Sequence, residues 1–174
     1  MSIKSRIMTA STGALFLMLV VSACEKNATV GELSKPDTVV PGAAISALQV
    51  FKSPQCGCCG EWVKHMQSAG FHTQVTDTEA LDAVKTRYNI PRQYQSCHTA
   101  VSEQGYIFEG HIPAKEVQRF LKEKPANAIG LSVPGMPIGS PGMEMNDKLM
   151  PYQVLLLMKD GSTQVYSHIT ELSR

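Results

Sequence analysis

The sequence predicts an α/β domain with a central mixed sheet flanked by helices, and three observations carry that expectation. Short apolar runs bounded by turn residues alternate with stretches whose apolar residues recur at three- and four-residue spacing. A hairpin signal and a proline-opened helix follow the second of those stretches. Three of the five cysteines stand where the first strand pattern gives way to the first helical one, in Ser53-Pro54-Gln55-Cys56-Gly57-Cys58-Cys59-Gly60-Glu61-Trp62.

Residues 45–51 read as the first strand, with Leu48, Val50 and Phe51 as its apolar residues, and Pro54 bends the chain after it. From Cys59 the face Cys59, Trp62, Val63, Met66 and Ala69 is helical, and Gly70 is a natural stop. Phe71 to Thr76 forms a second strand. Thr78 can cap a helix running through Ala80, Leu81 and Val84 to about Tyr88, where Asn89-Ile90-Pro91 breaks it. Strand, helix and strand in that order expect a parallel pair with a right-handed crossover. Arg92 to Ser96 is polar and irregular, and Cys97-His98-Thr99 leads into a strand through Ala100 and Val101. Gln104-Gly105 turns the chain, and Tyr106 to Phe108 pairs back. Pro113 suits the start of a helix from about Ala114 to Glu123, with Val117, Phe120 and Leu121 buried. This succession is thioredoxin-like, an arrangement that sets reactive cysteines at the N-terminus of the first long helix.

Ala128 to Pro151 differs in kind. Met136, Met143, Met145 and Met150 stand among Pro134, Pro137, Pro141, Gly135, Gly139 and Gly142, so neither helix nor interior strand is expected there. A long loop in a compact domain is usually functional or disordered. Tyr152 to Met158 and Thr163 to Ser167, joined by Lys159-Asp160-Gly161-Ser162, read as a C-terminal hairpin extending the sheet.

The 174 residues suit one domain plus a leader. Lys4 and Arg6 precede an uncharged apolar run, Gly13 to Val21, which is too short for a membrane span and reads as the core of a signal peptide over residues 1–24. Its ending, Val21-Ser22-Ala23-Cys24, resembles a lipobox, which would make Cys24 a lipid anchor. The alternative is an ordinary cleavage site near Ala23 and a soluble product. Residues 25–44 lack periodicity and suit a flexible tether, leaving residues 45–174 as the folded domain. Without the leader, 14 basic residues face 15 acidic ones, with no basic run, which excludes nucleic acid as a partner.

An exported chain meets an oxidising compartment, where idle thiols become disulfides. Four cysteines remain after the leader: Cys56, Cys58, Cys59 and Cys97. A two-disulfide framework is awkward because Cys58 and Cys59 are adjacent. Helix N-termini lower thiol pKa values, and the thiolate is both nucleophile and metal ligand. Zinc competes on donor type, but structural zinc sites draw on separated cysteine pairs. Adjacent thiolates bridge several ions more readily than they surround one, which favours a polynuclear cluster of soft Cu(I). His98, beside Cys97, and His111 are the better imidazole candidates. His65 is expected to face solvent, and His72 and His168 to be ordinary strand residues. Met66 and Met150 suit the core, whereas Met136, Met143 and Met145 have little core to fill and suit thioether ligation.

Four segments in order are similar to the CopG-type bacterial copper-resistance proteins over about residues 45–150. They are Val50 to Trp62, Ser96-Cys97-His98-Thr99-Ala100, Glu109-Gly110-His111-Ile112-Pro113-Ala114, and Gly130 to Glu144. The resemblance implies a thioredoxin-like periplasmic domain whose cysteines bind copper and support Cu(I)/Cu(II) interconversion. Cys56, Cys58, Cys59 and Cys97 would then be both cluster ligands and the redox-active group, with Cys97 opposite the other three. Met136, Met143, His98 and His111 follow as further ligands. The lipobox-like ending and Met145 are not taken as shared.

Three functions compete. One is a periplasmic copper oxidoreductase, whose partners are copper ions and other periplasmic copper-handling proteins, with membrane contact only through Cys24. Another is a copper chaperone or store without turnover, which would use the same ligands. The third is a thiol–disulfide oxidoreductase, disfavoured because such enzymes commonly use Cys-x-x-Cys whereas Cys56-Gly57-Cys58 would close a tighter ring.

Overall fold

The computed structural model of the chain describes residues 46–172. The expected leader and tether, and Cys24 with them, lie outside the described residues. Among the described residues, no helix is long and apolar enough to cross a membrane.

Strand β1 (Ala47–Lys52) leads into helix α1 (Gly57–Ser68), then β2 (His72–Asp77) and α2 (Leu81–Arg87). A short 3₁₀ turn at Arg92–Tyr94 precedes β3 (His98–Ser102) and β4 (Ile107–Glu109). Helix α3 (Ala114–Glu123) is followed by β5 (Ala128–Ser132), β6 (Tyr152–Met158) and β7 (Thr163–Ile169). The sheet runs β2-β1-β3-β4-β5-β6-β7. β1 pairs parallel with β2 and antiparallel with β3, and β3 pairs antiparallel with β4. That four-strand order is the thioredoxin-like core, and the last three strands extend it on the β4 side.

Helix α1 forms where its apolar spacing predicts, burying Cys59, Trp62, Val63 and Met66. Gly70 follows its C-cap with φ +90°, the left-handed stop that glycine adopts most readily. α3 buries Val117 and Phe120, and both helices share one apolar cluster with Leu48, Val50, Ala100, Phe108 and Leu131. Phe120 is its hub, with ring centroids of Tyr106 at 5.0 Å and Phe108 at 5.6 Å.

Three expectations are corrected. Residues 128–132 are an interior strand, paired parallel with β4 and antiparallel with β6. α3 is therefore a crossover helix between two parallel strands, the connection such strands require. Gly130 sits at a register shift where an added Cβ would stand 1.8 Å from the Ile107 carbonyl oxygen. Thr78 is not the cap of α2: the N-cap is Ala80, whose N–H donates to Thr78 Oγ1 at 3.0 Å, and the buried residue of the helix is Lys85. Met150 is 58% exposed and not core. The C-terminal hairpin does extend the sheet, with β6 and β7 paired antiparallel.

Replacing Phe120 with alanine is expected to lower the unfolding free energy by about 3–5 kcal/mol. A denaturant titration with unchanged slope reads it, and a loss below about 1 kcal/mol would contradict the hub role.

Candidate metal centre

Cys56 is the N-cap of α1, extended at φ −77° and ψ 92°, with no side-chain capping bond. The first-turn N–H groups of a helix lack intrahelical acceptors, so the cysteine turn meets a positive end of the helix. The loop ahead of β3 faces this turn and brings Cys97 to it. One sulfur atom from each of Cys56, Cys58, Cys59 and Cys97 lies within 4.8 Å of the others. Cys58 Sγ is 3.5 Å from Cys56 Sγ, and Cys59 Sγ is 3.4 Å from Cys97 Sγ. Cys56 and Cys59 are joined by a disulfide, while Cys58 and Cys97 are free thiols. This corrects the argument from Cys56-Gly57-Cys58: the Cys-x-x-Cys pair is present, as Cys56 and Cys59, with Cys58 inside it.

Two imidazoles stand behind Cys97. His111 Nδ1 is 2.8 Å from the Pro141 carbonyl oxygen and Nε2 is 3.0 Å from Cys97 Sγ. A carbonyl only accepts, so Nδ1 carries the hydrogen and the Nε2 lone pair points at the sulfur. An imidazole held by a carbonyl on one nitrogen, with the other unprotonated, has the arrangement typical of a metal ligand. His98 Nδ1 is 3.4 Å from Cys97 Sγ, its ring packs 4.4 Å from Trp62, and its Nε2 is buried without a hydrogen-bond partner. Burial holds both imidazoles below their ordinary pKa. For His98, the neighbouring His111 and Lys85 add to that effect. Both rings are therefore neutral at neutral pH. Burial, with the Cys58 charge second, pushes the Cys97 thiol up to about 12, so Cys97 donates its S–H to His111 Nε2.

Other expected residues fall differently. His65 is not turned to solvent: its Nε2 accepts the Ala114 N–H at 3.0 Å and so caps the start of α3. Trp62 Nε1–H donates to the Ile112 carbonyl at 2.8 Å, a second tie between α1 and the His111 segment. His72 and His168 are exposed strand residues and Met66 is fully buried, as expected.

The methionine-bearing loop is laced to this centre by its backbone. The Gly135 carbonyl accepts a hydrogen bond from Ser96 Oγ, next to Cys97. Gly142 has φ +86°, and a Cβ there would stand 2.5 Å from the Cys58 carbonyl oxygen and 2.8 Å from the Trp62 nitrogen. Only glycine lets the loop lie on the cysteine turn. Met136 follows Gly135 and is 50% exposed; Met143 follows Gly142 and is half-buried; Met145 is 54% exposed.

Sequence reasoning missed Lys85, which a reading for apolar periodicity passes over. It also missed that Glu109 and Thr99 are fully buried against that lysine.

Two solved structures, copper resistance protein copG in form 1 and form 2, are similar to this chain. Identities are 39% and 38%, each match covers 71% of this chain and 96% or 98% of theirs, and the TM-score is 0.67 for both. The chain belongs to the CopG family. A family profile described as a protein of unknown function, DUF411, matches residues 94–143 of this CopG-family chain, the stretch holding Cys97, His98, His111, Met136 and Met143. Among curated proteins none matches.

With the Cys56–Cys59 disulfide intact, alkylation of Cys97 by iodoacetamide is expected to be slow at pH 7. Its rate should rise by about tenfold per pH unit from 7 to 10 without levelling, because only the thiolate reacts. A plateau below pH 9 would contradict the raised pKa.

Proposed function

We propose that this protein is a periplasmic copper-binding protein of copper resistance. In this reading Cys56, Cys58, Cys59 and Cys97 hold a thiolate-bridged, polynuclear Cu(I) cargo and interconvert Cu(I) and Cu(II). The observation that carries it is the convergence of four cysteine sulfurs within 4.8 Å, with the imidazoles of His98 and His111 beside one of them. Thiolates suit Cu(I), whereas imidazole also suits Cu(II), so a centre offering both can serve either oxidation state. Met136 and Met143 are the proposed thioether donors at its rim. The family's name and the donor chemistry together support copper over zinc.

Two of the four sulfurs are engaged in the Cys56–Cys59 disulfide, so the four-thiol state needs two electrons and two protons, supplied by a dithiol reductant that is itself oxidised to a disulfide. Loading then releases thiol protons, and the Cys97 proton is the hardest to remove. A disulfide of this kind fits an oxidising compartment and an exported chain, with residues 1–24 as leader, residues 25–44 as tether and Cys24 as lipid anchor. Copper-handling proteins of the same compartment are the proposed exchange partners. A chaperone or store would use the same donors without turnover.

A second reading has one observation in its favour. A Cys-x-x-Cys disulfide at the start of α1 in a thioredoxin-like domain suits thiol–disulfide exchange with protein partners. That chemistry needs Cys56 and Cys59 alone, whereas copper binding recruits Cys58 and Cys97.

Substituting Cys56, Cys58, Cys59 or Cys97 with serine is expected to lower copper bound per reduced chain sharply, while Met66→Leu changes it little. Metal analysis after gel filtration reads it. Unchanged copper content in the cysteine variants, with disulfide-reductase activity kept in Cys58→Ser/Cys97→Ser, would favour the second reading.

A further inference from the structure

Successive residues of a strand point to opposite faces of the sheet. Ala100 and Phe108 join the apolar cluster shared by α1 and α3, so Thr99 and Glu109, directly paired across β3 and β4, face the other way, toward α2. Glu109 is 0% and Lys85 4% exposed, and the Lys85 ammonium donates to Glu109 Oε1 and, at 3.1 Å, to Thr99 Oγ1. Thr99 Oγ1–H donates to Glu109 Oε2 at 2.6 Å, and the Ser96 N–H donates to Glu109 Oε1 at 2.7 Å. One carboxylate therefore grips the residue before Cys97 and the residue after His98, and it lies two residues before His111.

We propose that Glu109 and Lys85 are positioning residues of the metal centre. The carboxylate sets the path of Ser96 to Thr99, and so the direction in which Cys97 and His98 present their donor atoms. The ammonium holds the carboxylate in place. The consequence for copper rests on the reading above, whereas the positioning itself does not require the metal.

The pair's bonds point to this role. A buried ion pair is a weak device for stability alone, because replacing both partners by apolar residues of similar volume is often neutral. Here the hydrogen bonds made by the two charged groups, beyond the one between them, go to Ser96 and Thr99, which bracket two donor residues. Ser96 is held a second time through its side chain, which donates to the Gly135 carbonyl in the covering loop. Cys97 and His98 are thus bounded, as a unit, by two residues that the pair bonds, and Cys97 meets His111 Nε2, His98 Nδ1 and Cys59 Sγ at 3.0, 3.4 and 3.4 Å. Removing the outer partners of metal-ligating residues typically weakens metal affinity by about 10–100-fold.

The test compares wild type with Lys85→Met/Glu109→Leu, which leaves no lone buried charge, and with Glu109→Gln, which keeps an acceptor for the Ser96 N–H. Cys97 alkylation relative to Cys58 is measured in the metal-free, disulfide-intact chain. Cu(I) affinity is measured in the reduced chain by chelator competition, together with its thiolate-to-copper absorption. Expected results are faster Cys97 alkylation, a shifted absorption band and an affinity about 10–100-fold lower in the double variant, with Glu109→Gln, which loses the charge facing Lys85, displaced from wild type in the same direction by a smaller, measurable amount. A folded double variant with wild-type alkylation, absorption and affinity would overturn the proposal. If the double variant fails to fold, Glu109→Gln decides by the same readouts, wild-type values in it overturning the proposal. Changed alkylation with no Cu(I) binding by wild type would uphold the positioning and overturn the copper reading instead.

Discussion

Strand β3 is paired on both sides, and those two registers bring the centre together. On one side Lys52, the last residue of β1, lies opposite His98, so the turn that follows, with Cys56 and the start of α1, comes down beside Cys97. On the other side Thr99 lies opposite Glu109, and the Gly110 N–H donates to the His98 carbonyl at 3.0 Å, which sets His111 at the same end of the hairpin. A slip of one residue in either register would exchange the two buried faces of β3 and separate the donors. Backbone pairing thus does most of the gathering, and the Trp62–Ile112 and His65–Ala114 hydrogen bonds hold α1 to the result.

The centre so gathered is mixed in character. Its sulfurs stand at the positive end of a helix, yet Cys97 is half-buried, and that burial raises its pKa so that it stays protonated beside a neutral imidazole. Burial raises the Glu109 carboxyl as well, and the Lys85 ammonium works against that rise, which suits an ionised carboxylate enclosed behind the site. The loop after β5 closes the front through backbone contacts at Gly135, Pro141 and Gly142. Such a setting resists loss of a proton to water and yields it to a cation that binds sulfur strongly.

Much of this was legible in the chain. The apolar spacing from Cys59 to Met66 announced α1 and its buried face, and Pro113 with Val117 and Phe120 announced α3 over the residues it occupies. The cysteine cluster and the His98 and His111 positions were visible as residue types, because few structural roles account for three sulfurs at a strand-to-helix turn. β5 was not legible, since Gly130 and the glycine- and proline-rich residues after it mimic a loop; the close approach of the Ile107 carbonyl that demands that glycine is a tertiary fact. Lys85 was hidden for a similar reason: a lysine in a short helix reads as solvated until its buried partner, distant in sequence, is known. The Cys56–Cys59 pairing was overlooked because the adjacent sulfurs of Cys58 and Cys59 drew the reading toward the closest spacings.

The most direct test of the account is titration of the reduced domain, residues 25–174 with Cys24 removed, with Cu(I) against a competing chelator without oxygen. An oxidant is then added while Cu(II) is followed by electron paramagnetic resonance. The account predicts several tightly held Cu(I) ions per chain and a Cu(II) signal that appears on oxidation and disappears on reduction. Failure to hold Cu(I) against the chelator would contradict it and return the four cysteines to thiol–disulfide chemistry.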